Sequence, residues 1–73
     1  MYKRTFRKAD QTHRFLITNS NGSGWEVREE EDHRIVKRTL MRDWHRVENA
    51  MMRFGLEATQ LQRAGWVEVS NMV

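Results

Sequence analysis

The sequence predicts a small α+β domain, in which an antiparallel sheet of three or four strands is packed by one amphipathic helix and followed by a short C-terminal helix. Two observations lead to this prediction. A β-hairpin pattern runs from Trp25 to Met41, and an apolar stripe with helical spacing follows it. Because the chain has 73 residues, residues 1–73 are expected to form a single domain.

The first part of the chain predicts one or two strands. Three adjacent apolar residues, Phe15-Leu16-Ile17, indicate a strand within residues 12–18. Aromatic and basic residues alternate over residues 2–8, which fits either an extension of that strand or a separate edge strand. Residues 19–24 are rich in Asn, Ser and Gly, so a turn of several residues is expected there.

The hairpin that follows predicts its own register. With Asp32 and His33 at the tip, Trp25 would face Leu40 across the two strands, and a four-residue tip would preserve the same pairing. The register places apolar residues of both strands on one face, namely Trp25, Val27, Val36 and Leu40.

The helix is predicted from Asp43 to Phe54. Asp43 is a suitable N-cap residue and Gly55 a suitable residue just beyond the C-terminus. A second, short helix is expected over residues 57–64, and residues 66–69 form a strand or an extended tail that returns Trp66 to the core. The predicted core is Leu16 or Phe15, Ile17, Trp25, Val27, Val36, Leu40, Trp44, Val47, Met51, Phe54 and Leu61.

Composition excludes several classes of function. There is no cysteine, so disulfides, a thiolate nucleophile and a cysteine-type zinc site are ruled out. The histidines, His13, His33 and His45, are too scattered for a metal motif and are expected at the surface, so no metal or cofactor is predicted. Without a catalytic constellation, we expect a protein that is not an enzyme. The chain lacks a signal peptide and a transmembrane stretch, which favours a cytoplasmic protein with no membrane partner.

Charge alternates in blocks along the chain, whose net charge is +3. Residues 1–14 hold five basic residues and one acid, residues 26–32 hold five acids and Arg28, and residues 34–53 hold six basic residues and two acids. Arg28, Arg34, Lys37 and Arg38 could form a basic sheet face, although the acidic hairpin tip beside them would repel a phosphate backbone.

The first hypothesis is a small nucleic-acid-binding or regulatory protein. Its basic N-terminal residues and a column of arginines on the polar side of the helix would contact phosphates. The competing interpretations are an ordinary solvated basic surface, and a protein-interaction module or homodimer that pairs through an edge strand or through Trp66. The predicted phosphate-binding residues are Lys3, Arg4, Arg7, Lys8, Arg42, Arg46 and Arg53.

Two resemblances accompany these patterns. The segments GWEVR (24–28) and DWHRVE (43–48) are similar to those of short proteobacterial proteins of unknown function, and that likeness implies no activity. The order of strands and helix, with Trp25-x-Val27-Arg28 and the Asp43-Trp44 helix start, weakly resembles the AP2-like N-terminal domains of phage integrases. That resemblance implies a three-stranded sheet, backed by a helix, that binds DNA. The acidic hairpin tip differs from the usually basic tip of that family.

Overall fold

The computed structural model describes residues 2–69. They form one five-stranded antiparallel sheet in the order β4-β3-β2-β1-β5 and one helix. The predicted sheet of three or four strands with an additional short C-terminal helix is therefore wrong. The elements are β1 (Tyr2–Lys8), β2 (Gln11–Asn19), β3 (Trp25–Glu31), β4 (Arg34–Met41), α1 (Trp44–Arg63) and β5 (Val67–Val69).

Residues 2–8 form a strand of their own, in the interior of the sheet. β1 pairs with β2 from Tyr2↔Ile17 to Lys8↔Gln11, and its other side pairs with β5. It is therefore not an edge strand. The alternation along this strand places the Phe6 side chain in the core, where it is completely buried.

The β3–β4 hairpin has the predicted tip but not the predicted register. Asp32 and His33 both have positive φ, 49° and 70°, which is the backbone of a type I′ turn. A β-bulge at Val36 then shifts the pairing by one residue, so Trp25 lies opposite Met41 instead of Leu40.

The helix begins as predicted and ends later. The Asp43 side chain accepts a hydrogen bond from the His45 backbone N–H at 3.0 Å, which confirms the N-cap. The predicted end before Gly55, and a separate helix over 57–64, are wrong because the apolar stripe continues through Ala58 to Leu61. That packing outweighs the roughly 1 kcal/mol that a glycine costs inside a helix. No helix within residues 2–69 is long and apolar enough to span a membrane.

The core lies between α1 and one face of the sheet. Part of the predicted core is wrong: the bulge leaves Val36 and Leu40 about half exposed, and Trp44 is 46% exposed beside Trp25. Trp66 precedes β5 and packs partly against the core, in agreement with the strand prediction for this segment. The buried apolar side chains are Phe6, Phe15, Ile17, Val27, Val47, Ala50, Phe54 and Ala58.

Candidate functional site

Within residues 2–69, one face of the sheet has no helix against it, and we call it the open face. Residues in register on neighbouring strands share a face, so each position can be assigned from its partner. Phe15 and Ile17 belong to the helix side, and Leu16 between them belongs to the open face. Five cations and two carboxylates share the open face, which leaves a surplus of three positive charges: Lys3, Arg7, Arg14, Arg28, Arg38, Glu26 and Glu30.

A row of basic side chains crosses the open face. Lys3, Leu16, Arg28 and Arg38 are consecutive partners across β1, β2, β3 and β4. Because neighbouring strands lie about 4.8 Å apart, the row is about 14 Å wide. The register of the antiparallel sheet brings these cations together, although Lys3 and Arg38 are 35 positions apart in the sequence.

The arginines of the open face are held by ion pairs with the acids of β3. Arg28 lies 3.2 Å from Glu26 and 3.0 Å from Glu30. Glu30 also contacts Arg14 at 3.5 Å, and Glu26 accepts a hydrogen bond from Arg38. The result is a ladder of alternating charge in which both carboxylates are neutralised by arginines.

Lys3 and Arg7 differ from these arginines. Both are exposed on the open face, and neither makes an ion pair within the described part of the chain. Their charges are therefore available to a ligand without loss of an internal contact.

The acidic segment 26–32 is divided between the two sides of the sheet. Glu26 and Glu30 belong to the open-face ladder, and Glu29 and Glu31 lie on the helix side beside His13. Asp32, in the turn, accepts a hydrogen bond from the Thr12 backbone N–H at 2.9 Å. The segment therefore does not present one block of free negative charge.

The predicted N-terminal basic residues are also divided. Lys3 and Arg7 lie on the open face, whereas Arg4 donates two hydrogen bonds to Glu68 at 2.9 and 2.7 Å. These bonds raise the pKa of Arg4 and lower the pKa of Glu68. Lys8 donates to the Ala64 carbonyl at 2.7 Å, at the C-terminal end of α1.

The predicted arginine column lies away from the open face. Arg42 precedes α1 and lines an open cleft of about 450 Å³ beside residues 22–25. Arg46 and Arg53 are exposed on α1, about 10 Å apart along its axis, on the helix layer. The seven predicted phosphate-binding residues therefore do not share one surface.

Two aromatic side chains meet on the helix side of the sheet. Trp66, the predicted partner-binding residue, is half-buried, and its ring centre lies 6.3 Å from that of His13. The surface position expected for His13 is wrong, since its side chain is only 12% exposed. His13 lies two residues before Phe15 in the sequence. That spacing could have predicted its position on the helix side, because alternate residues of a strand share a face.

Comparisons with protein-family models, with curated proteins and with solved structures found no match to this chain. Function is therefore inferred from the arrangement of its residues.

Proposed function

We propose that this protein binds nucleic acid through the open face, by contacts to phosphates, and has no catalytic role. The observation that supports this most strongly is that Lys3 and Arg7, which are exposed and form no ion pair among residues 2–69, share the open face with Arg28 and Arg38. Cations clustered on one surface attract the polyanionic backbone and release its counterions, which drives association.

The ion-pair ladder is compatible with this role. A guanidinium group has five N–H donors in a planar fork, and one carboxylate uses at most two of them. Arg38 contacts Glu26 alone, and Arg28 contacts Glu26 and Glu30, so each arginine keeps at least one N–H donor for a phosphate. The carboxylates hold the arginines in place, which reduces the side-chain entropy lost on binding.

The chain order adds support. Strands β2, β3 and β4 form a meander that leads directly into α1, and α1 packs on the face opposite the basic row. The resemblance to AP2-like integrase domains implies a three-stranded sheet, backed by a helix, that meets DNA; the sheet here has two further strands, β1 and β5. Phosphate contacts position a protein on a duplex without reading its sequence. We therefore expect weak sequence preference, and we expect the protein to act in the cytoplasm.

Fluorescence anisotropy with a labelled DNA duplex tests the proposal. We expect saturable binding at about 50 mM salt. Three phosphate contacts would weaken the affinity about 40-fold between about 50 and 200 mM salt. A labelled single-stranded RNA, measured in parallel, identifies the preferred nucleic acid. An absence of binding to both probes at low salt would overturn the proposal.

A second copy of the chain is the alternative partner. β4 is an edge strand, and seven of its eight residues are exposed. Ile35 and Leu40 are each half exposed on it. An edge strand with unpaired backbone groups can pair with another strand. We therefore keep self-association through β4 as the second candidate.

Sedimentation velocity over a range of concentrations tests this alternative. Leu40→Lys would place a charge on the β4 edge, and Leu56→Lys would make the same change at an exposed position on α1. If β4 of one copy pairs with β4 of another, only Leu40→Lys should lower the mass measured at high concentration. A monomer at every concentration would exclude self-association.

A further inference from the structure

Three side chains from three elements meet on the helix side of the sheet. His13 comes from β2, Glu29 from β3 and Glu57 from α1, and one ligating atom from each lies within 4.8 Å of the other two. They are 16 and 28 positions apart in sequence. We propose that this cluster, which we call the His13 cluster, binds a divalent transition-metal ion such as Zn²⁺.

The histidine has a nitrogen available to a metal. His13 Nε2 is fully buried and has no hydrogen-bond partner among residues 2–69. Burying such a nitrogen without a partner is costly, so its presence needs a reason. The nearest carboxylate oxygen, Glu29 Oε2, is 3.5 Å away. That is long for a hydrogen bond, but it matches the edge of a coordination tetrahedron, about 3.4 Å for bonds of about 2.1 Å.

The second ring nitrogen supports the same assignment. Nδ1 of His13 lies 3.5 Å from Glu31 Oε2, on the other side of the ring. A histidine that binds a metal ordinarily directs its other N–H to a carboxylate, which fixes the tautomer and orients the ring. Glu31 lies beside Nδ1 and could accept its N–H, and Nε2 then remains beside Glu29.

Electrostatics also favour a cation at this position. Glu29 and Glu57 are both half-buried and approach each other closely, so their negative charges repel each other where water screens them incompletely. A divalent ion would relieve that repulsion. One imidazole and two carboxylates suit Zn²⁺, Mn²⁺ or Fe²⁺.

Isothermal titration calorimetry of the whole chain with ZnCl₂ tests the assignment. We expect one Zn²⁺ per chain and a rise in melting temperature that EDTA reverses, because an ion bound to the folded state alone stabilises that state. MgCl₂, which prefers all-oxygen ligands, should bind far more weakly. If Zn²⁺ gives no heat of binding and no shift in melting temperature, the cluster is only a set of polar contacts and the proposal is overturned.

Variants separate a true site from surface binding. Glu57→Gln removes one ligand from a half-buried helix position and should weaken Zn²⁺ binding by at least about tenfold. Glu48→Gln is the matched control, since Glu48 lies on the same helix beside the exposed His45 at 3.5 Å. Equal affinity in both variants would overturn the proposal. Because His13 packs against Phe15, His13→Ala could unfold the chain, and Glu57→Gln avoids that problem.

Discussion

Arg4 and Glu68 join the two strands that lie farthest apart in sequence. The guanidinium of Arg4 on β1 donates from Nε and Nη2 to the two carboxylate oxygens of Glu68 on β5. This two-point contact fixes the three-residue strand β5 along its interior neighbour β1. Arg4 is therefore committed to the fold, although its position in a basic segment had suggested a phosphate contact.

The Arg4–Glu68 pair should make stability depend on pH. The hydrogen bonds from Arg4 lower the pKa of Glu68 in the folded chain. The pair therefore stabilises fully above the unfolded pKa of Glu, about 4.3, and its contribution is lost as the pH falls through the lowered folded pKa. Glu68→Gln should lose under about 1 kcal/mol of unfolding free energy at pH 7, because both side chains are partly exposed to solvent.

Urea denaturation at pH 7 and at about pH 2 measures this effect. As the pH falls through the lowered pKa of Glu68, its protonated side chain comes to resemble Gln, so the difference between the two proteins should shrink. A difference of equal size at both pH values would show that the ion pair is not its cause.

Gly55→Ala should stabilise the protein. Gly55 lies inside α1 with helical backbone geometry, and a Cβ there would meet no atom within 4 Å. Alanine loses less backbone entropy than glycine, so we expect a gain of about 1 kcal/mol in unfolding free energy. Thermal denaturation checks this. A lower melting temperature would mean that the helix does not run continuously through this position.

Phe15→Ala should be strongly destabilising. Phe15 is completely buried and its ring lies 4.6 Å from that of Phe54. Its removal should cost about 3–5 kcal/mol. The contrasting variant is Leu40→Ala, at a half-exposed position of β4, which should change stability by less than about 0.5 kcal/mol. Guanidinium denaturation of both variants distinguishes the bulged register from the register predicted from sequence, in which Leu40 would be buried.

Local signals in the sequence predicted several elements correctly. The Asp43 cap, the position of the hairpin tip at Asp32 and His33, and the start of the helix stripe each depend on residues close together in the chain. The bulge at Val36 could not be predicted, because no residue type requires it and the pairing of β3 with β4 decides it. The helix continued through Gly55 because tertiary packing outweighed a weak local preference.

The candidate sites were harder to predict than the elements. The composition of the open face depends on the register of four strands. A shift of one residue in a strand's pairing would move its side chains to the other side of the sheet. Phosphate binding by the seven basic residues remains a prediction. The structure separates Lys3 and Arg7 from Arg46 and Arg53 by the thickness of the sheet and helix. The His13 cluster requires three elements to meet, so sequence spacing gave no sign of it.

The salt dependence of DNA binding in two double variants tests the central claim most directly. Lys3→Gln/Arg7→Gln removes two charges from the open face, and Arg46→Gln/Arg53→Gln removes two from α1. None of the four residues forms an ion pair within residues 2–69. If the open face binds phosphates, the first variant binds more weakly and its slope of log K against log salt is shallower by about 1.8. The second variant should retain the wild-type slope. A wild-type slope in the first variant, or an equal loss in the second, would contradict the assignment of nucleic-acid binding to the open face.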